Sequence, residues 1–187
     1  MLKFNLFEDK PTEVAQRLIG LSLIKDGIGG IIIETEAYDT QNDPACVRFY
    51  NPTREKFATT HPAGTIHIHT NYGRHVMLNI LSKGGGTIGF ILIRALLPTS
   101  GWKTMEKRRK SEDPKRLCNG PGNLTQALEV GRSNHGASIL PWLSSEPKMT
   151  PVQLRRSRRI GIRQGVDLPY RFTPTRSALH DLRAKTS

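Results

Sequence analysis

Acidic residues are in short supply. The 187-residue chain carries 16 Asp and Glu against 28 Lys and Arg, a formal charge of +12, with an isoelectric point near 10.2. That excess points to a polyanionic partner, nucleic acid first, although an acidic membrane surface or a ribosomal setting would give the same number. Cysteine is scarce too. Cys46 and Cys118 alone exclude a disulfide framework and fit reduced thiols in a cytoplasmic protein. No apolar signal core lies between Met1 and Lys10. The longest apolar run, 88–97, is about half the length of a membrane span, and Arg94 interrupts it. The expectation is a soluble protein with no sign of export and no membrane association. No internal repeat is visible, and the 36% hydrophobic content suits one globular domain over 1–187, with residues from about 176 to 187 as a loose tail.

Pro11 and Thr12 open a helix reaching Gly20, with Thr12 as its N-cap and Gly20 as the residue after its C-cap. Residues 21–25 and 30–38 read as strands joined through Asp26-Gly27, a hairpin signal. The stretch 44–62 reads as irregular. Residues 65–70 and 75–81 form a second strand pair around Asn71-Tyr72-Gly73-Arg74, and 87–97 a third strand region after Gly84-Gly85-Gly86. Residues 102–110 look helical, Asn119-Gly120-Pro121-Gly122 is a tight loop entering a helix over 123–129, 132–151 is a long surface loop, and 155–162 is a strand or its edge. The order lacks a βαβ rhythm and predicts a mixed α+β domain around an antiparallel sheet with flanking helices.

Alternation along 32–38 puts Glu34, Glu36 and Tyr38 on one face, with Ile31 and Ile33 on the other, toward the core. A carboxylate beside an aromatic ring suits a pocket that stacks a flat base and activates a water; a plain solvent face would look the same. Tyr72, between two strands, suits a wedge entering a base stack, or a ring folded back on the surface. His67 and His69 share a face, but no established metal spacing surrounds them, so stacking or hydrogen bonding within a pocket is the better reading. Arg94 sits in an apolar strand, where a charge needs a partner. Glu36 is the obvious one, unless the arginine faces outward. Lys107, Arg108 and Arg109, with Lys115-Arg116, Arg155-Arg156 and Arg158-Arg159, are candidates for phosphate contacts, as is Arg74. Gly120 and Gly122 flank a loop whose amides could meet a phosphate.

In order along the chain, Leu18-Ile19-Gly20, Ile33-Glu34-Thr35-Glu36-Ala37-Tyr38, Gly64-Thr65, Tyr72-Gly73, Asn79-Ile80, Arg94-Ala95-Leu96 and Leu117-Cys118-Asn119-Gly120-Pro121-Gly122-Asn123-Leu124 resemble the alkyladenine (3-methyladenine) DNA glycosylase family in its bacterial form. The resemblance implies a mixed α/β domain around a curved antiparallel sheet, working as a monomer on double-stranded DNA without metal or cofactor. It makes Glu36 the general base for an attacking water and Arg94 a holder of that water. Tyr38 would stack on the flipped base, and Tyr72 would intercalate. Asn79 would exclude purines bearing a 2-amino group. Two positions depart from the family: Val47 stands where it has a base-reading histidine, and His69 where it has a second stacking tyrosine. These bear on the range of bases more than on the chemistry.

The implied reaction is hydrolysis of the N-glycosidic bond through an oxocarbenium-like transition state, leaving an abasic site. One base candidate and no clear second acid suit a leaving group already activated by alkylation. No lysine stands out as a Schiff-base nucleophile, which predicts a monofunctional enzyme. On residues alone, two other readings stay open: a non-catalytic RNA- or ribosome-binding module, and a damaged-DNA binder that does not cut.

Overall fold

Asp26 and Gly27 both adopt positive φ, 52° and 76°, which a two-residue turn between twisted strands requires. That turn joins β1 (Ser22–Lys25) to β2 (Ile28–Asp39). The structure is a computed structural model, and it describes residues 5–49, 51–71, 75–144 and 153–186. A seven-stranded antiparallel sheet runs β3 (Ile66–Asn71), β4 (His75–Gly84), β5 (Thr87–Ser100), β2, β7 (Arg171–Pro174) and β6 (Leu154–Ser157), with β1 added to β2. β2 therefore pairs with three strands. Gly29 and Gly30 let β1 and β5 approach closely: a Cβ on Gly29 would lie 1.9 Å from the Leu23 carbonyl oxygen, and one on Gly30 2.0 Å from that of Leu97.

One face of the sheet is covered by α1 (Pro11–Leu18) and α6 (Pro121–Leu128), which bury Val14, Leu18, Leu124 and Leu128 against Ile32, Ile91 and Ile93. α4 (Trp102–Arg109) and α5 (Pro114–Leu117) extend this layer. Among the described residues no helix is long and apolar enough to cross a membrane.

The expected α+β class and the main strands agree with this architecture, and several local expectations do not. α1 starts one residue early: Pro11 takes the first helical position and Lys10 is the N-cap, with no side-chain cap, so Thr12 lies inside the helix. The stretch 44–62 holds α2 (Pro44–Phe49) and α3 (Pro52–Thr60). Each opens with Pro after an Asx residue. The Asp43 carboxylate accepts from the Ala45 amide at 3.0 Å and the Asn51 side chain from the Arg54 amide at 3.0 Å, satisfying donors a helix start leaves open. The expected surface loop over 132–151 is described as far as Ser144, lies mostly at the surface as expected, and is tied to the sheet edge. Ile66 donates to the Ala137 carbonyl at 2.8 Å, Ile139 to that of Gly64 at 3.0 Å, and Ile139 is fully buried. The expected loose tail is α7 (Arg176–Thr186), with Ala178 and Leu182 buried at 2% exposure each.

The remaining correction concerns β2. Ile32 pairs with Leu96, Glu34 with Ala95 and Thr35 with Ile93. Ile33 is thus an extra residue on β2 and Arg94 an extra residue on β5. The bulge puts Ile32, not Ile33, in the core: Ile32 has no exposed surface, whereas Ile33 is half-buried. It also turns Glu34 away from the core, where strict alternation from Ile32 would have put it. Ile32→Ala should lower the unfolding free energy by about 2–5 kcal/mol and Ile33→Ala markedly less. Equal losses in chemical denaturation would contradict the shifted register.

Candidate active site

Pairing across the sheet aligns side chains on one face. Glu36 pairs with Leu92 on β5 and Arg171 on β7, and Arg171 pairs with Ser157 on β6. Arg94, bulged out of β5, enters the same face. It donates from Nε to Glu34 Oε1 at 2.6 Å and lies 3.3 Å from Glu36 Oε1. The expected Glu36 partner is therefore present, but Glu34 is the closer one. Arg171 Nε donates to the same Glu34 oxygen at 2.8 Å. Sequence reading gave no sign of Arg171, because β7 is four residues long and ends in proline.

Glu36 has no exposed surface. Its Oε1 accepts from the Ile160 amide at 2.8 Å, and its Oε2 from the Tyr38 hydroxyl at 2.8 Å. Burial raises its pKa above the ordinary glutamate value. Arg94, the Ile160 amide and the Tyr38 hydroxyl offset this only in part, and Glu34 adds to it. Glu34 goes the other way: burial would raise it, but the hydrogen bonds from Arg171 and Arg94 and their charges hold it below the usual range. Two carboxylates two residues apart thus have opposite shifts. A carboxylate has about four acceptor positions. Three groups occupy Glu36, one fewer than its acceptor positions.

Tyr38 is fixed from behind. The Arg159 guanidinium lies 4.7 Å over its ring and 5.4 Å over that of Tyr170. Arg159 also pairs with Asp43 through both terminal nitrogens and donates to the Ala37 carbonyl at 2.8 Å. Neither side chain of this pair is exposed. In the sequence Arg159 is one of a basic cluster, and only the fold distinguishes it from exposed Arg158. The Tyr38 phenol is pushed far up, by burial and then by Glu36, so it remains a donor.

Some of these residues border a cavity of about 300 Å³. Tyr38, Arg94 and Ile160 form one side, with Leu92, Phe90 and Met77 as apolar wall. Asn79 lines it as expected, its amide donating to the Met77 and His67 carbonyls at 3.3 and 3.4 Å. His69 lines it too, with Nδ1 2.8 Å from Arg54 Nη2. A guanidinium only donates, so Nδ1 accepts and the ring proton sits on Nε2. Burial and then Arg54 lower the His69 pKa, and His67 falls to about 3 for the same causes. His67 packs among Phe57, Phe90 and His135, with ring centroids 4.9–5.2 Å apart. Among the described residues no three His, Cys, Asp or Glu side chains gather in a metal-holding group. Cys46 lines the cavity as a thiol that burial pushes up to about 12.

Pro121, of the Gly-Pro loop, also borders the cavity. The loop is tied to the strand of Arg94, since Leu96 donates to the Cys118 carbonyl at 3.2 Å and Ala95 bridges to Asn119. Gly120 has φ 96°, and a Cβ on Gly122 would meet His75 at 3.1 Å. Val47 falls in α2, but its side chain lies outside the described residues, as do Tyr72 and Arg74 altogether. The basic clusters divide. Lys107 is exposed, whereas Arg108 bonds the Ala127 carbonyl and Glu129, and Arg109 bonds Gln126, tying α4 to α6. Arg155 shares the face of Arg171 and Glu36. Arg156 stands on the opposite face, bonding Gln16 of α1 at 2.8 Å.

The chain is similar to known proteins over most of its length. A family model described as methylpurine-DNA glycosylase matches residues 5–178. A protein of Rhodopseudomonas palustris (strain BisB18) is 37% identical over 172 residues, covering 91% of this chain and 86% of its own length. One of Nitrosospira multiformis is 39% identical over 167 residues, covering 89% and 86%. One of Chlorobaculum parvum is 37% identical over 180 residues, covering 91% and 86%. Each bears the name "Putative 3-methyladenine DNA glycosylase".

Breaking the buried Asp43–Arg159 pair strands a charge, so Asp43→Ala should cost about 3–5 kcal/mol of stability. Asp167→Ala, which removes the exposed partner of Arg158, should leave the thermal midpoint unchanged. Comparable losses would show that Arg159 is not a structural anchor.

Proposed function

The chain belongs to the methylpurine-DNA glycosylase family, which makes it a DNA N-glycosylase, and from that premise we propose that it excises damaged purines from duplex DNA by direct hydrolysis at Glu36. The observation that carries this reading is the enclosed Glu36 carboxylate. The groups that hold it, Tyr38, Arg94 and the Ile160 amide, belong to residues that wall the cavity.

The flipped nucleotide places its base in the cavity against the face of Tyr38 that Arg159 leaves open, with base–ring stacking as the main contact. Ionised Glu36 takes a proton from a water in its remaining acceptor position. The oxygen attacks C1′ of the sugar as the N-glycosidic bond breaks, and the bonding electrons leave with the base. Charge developing on the sugar is stabilised by the same carboxylate. Arg94 contacts both glutamates through Nε, so its terminal nitrogens remain for the water or the nucleotide. No lysine lines the cavity among the described residues, which supports water rather than an amine as nucleophile and an abasic site as product. Asn79, in the cavity wall, acts against 2-amino purines, and Tyr72 fills the gap left in the duplex. Every group invoked comes from one chain, so a monomer suffices, and the chemistry calls for no cofactor.

The decisive test is single-turnover base release from duplexes carrying 3-methyladenine, 7-methylguanine or hypoxanthine, with Glu36→Gln beside wild type. Release by wild type and a fall of at least about a hundredfold in the variant, with duplex binding retained, is the expected outcome. Binding without release from any lesion would favour the damaged-DNA binder. The pH profile adds a check. The base form of Glu36 is lost as pH falls through a raised pKa, so the rate should drop on the acid side at a pH above 4.5, the ordinary glutamate value. An acid limb at or below that value would contradict a buried base.

A further inference from the structure

One oxygen, Glu34 Oε1, is held by two arginines at once. Arg94 Nε donates to it at 2.6 Å and Arg171 Nε at 2.8 Å. A guanidinium carries a single proton on Nε, so Arg94 has one N–H to offer from that atom, and Glu34 is the closer acceptor. Glu36 Oε1 lies 3.3 Å from the same nitrogen and receives mainly its charge. Yet Arg94 is the chief group that favours the ionised form of Glu36. The placing of Arg94 between the two glutamates therefore bears directly on the charge state of the base.

Arg171 is the group that can fix this placing. It comes from β7, where it pairs with Glu36 on β2 and with Ser157 on β6. Its Nη1 donates to the Ser157 hydroxyl at 3.2 Å, so the side chain is fastened at both ends. It does not line the cavity. With Arg171 present, two guanidiniums serve two carboxylates. Without it, one guanidinium would serve both. Glu34, the nearer, would draw Arg94 to itself, and Glu36 would lose its cation.

We propose that Arg171 is a positioning residue for base excision: by sharing Glu34 with Arg94, it keeps Arg94 between the two glutamates and so holds Glu36 ionised as the base. The proposal deepens the glycosylase reading and rests on it. Arg171 acts through Glu34 and is not a catalytic residue.

Among the described residues, the charged and titratable groups around Glu36 are Glu34 and Tyr38 on its own strand, Arg94 on β5, Arg171 on β7, and Arg159 with its partner Asp43 behind the Tyr38 ring. Cys46, His67 and His69 line the adjoining cavity. The Cys46 thiol at about 12 and the His67 imidazole at about 3 hold one charge state near neutral pH. The His69 pKa is lowered as well, so the readout is the displacement of the acid limb between variants, not its position.

The test is the pH dependence of single-turnover release of 7-methylguanine or 3-methyladenine from duplex DNA, corrected for spontaneous loss. These bases already carry a positive charge, so protonation of the leaving group does not enter the profile. Wild type is compared with Arg171→Gln, Arg171→Lys, Glu34→Gln and the double variant Arg171→Gln/Glu34→Gln. Losing Arg171 should raise the acid limb by about half a pH unit or more, below the full effect of a charge in direct contact. Losing Glu34 leaves Arg94 to Glu36 alone and should lower the limb. The double variant should follow Glu34→Gln to within about 0.3 pH unit, because the link between Arg171 and Glu36 is gone. Arg171→Lys, which keeps the charge, should bring the limb back toward wild type. Arg171→Met answers the same question if Gln disturbs folding. An unmoved limb with a lower rate at every pH would make Arg171 a structural brace and overturn the inference. A shift that persists in full in the Glu34→Gln background, or weaker duplex binding as the sole change, would overturn it too. Each of these outcomes leaves the glycosylase reading standing. No release of either base by wild type would remove both readings.

Discussion

The structure depends on keeping a carboxylate out of water. Burying Glu36 is unfavourable, and the fold contains the means of offsetting it: a hydroxyl from its own strand, a guanidinium from the next, and a backbone amide from near the other end of the chain. Glu34 takes most of the positive charge of Arg94 and Arg171. That leaves Glu36 with hydrogen bonds but only partial ionic compensation, and so with a raised pKa. A base needs that division, since a carboxylate fully neutralised by arginine is too weak to take a proton.

The sheet is deformed to serve this arrangement. Regular pairing of β2 with β5 would send Glu34 into the core and leave no place for Arg94 beside the two glutamates. One extra residue on each strand corrects both at once. The strict alternation that makes a strand readable is thus broken where the chemistry lies. Glu34, Glu36 and Tyr38 were legible as one face because the extra residue on β2 itself, Ile33, comes before them. Ile33 was misread as core because it is the irregular residue.

Other parts of the site had uneven traces in the sequence. Arg94 stood out because a charge within 88–97 demands a partner. The element order and the Asp26-Gly27 turn followed from local rules. α2 and α3 left a trace that went unread, an Asx residue followed by proline. Arg171, Ile160 and Arg159 left almost none. They sit in short or irregular segments, and their roles arise from contacts across more than a hundred residues of sequence. Arg54 belongs with them: α3 has no apolar stripe, and nothing in its sequence says that one side chain reaches a cavity. The resemblance filled in the Glu36, Tyr38 and Asn79 roles but was silent on these four.

The Asp43–Arg159 pair has a further consequence. Residues 158–171 supply the guanidinium behind Tyr38, the amide on Glu36 and the second arginine on Glu34. On the ribosome these emerge more than a hundred residues after Glu34 and Glu36. Until then Asp43 lacks Arg159, Glu36 lacks the Ile160 amide, and β2 lacks its neighbour beside Thr35 and Glu36. An incomplete polypeptide thus displays the aromatic and acidic residues of the site without their supports. The supports of Glu36 and Tyr38 are therefore complete only once residues 158–171 have joined the sheet.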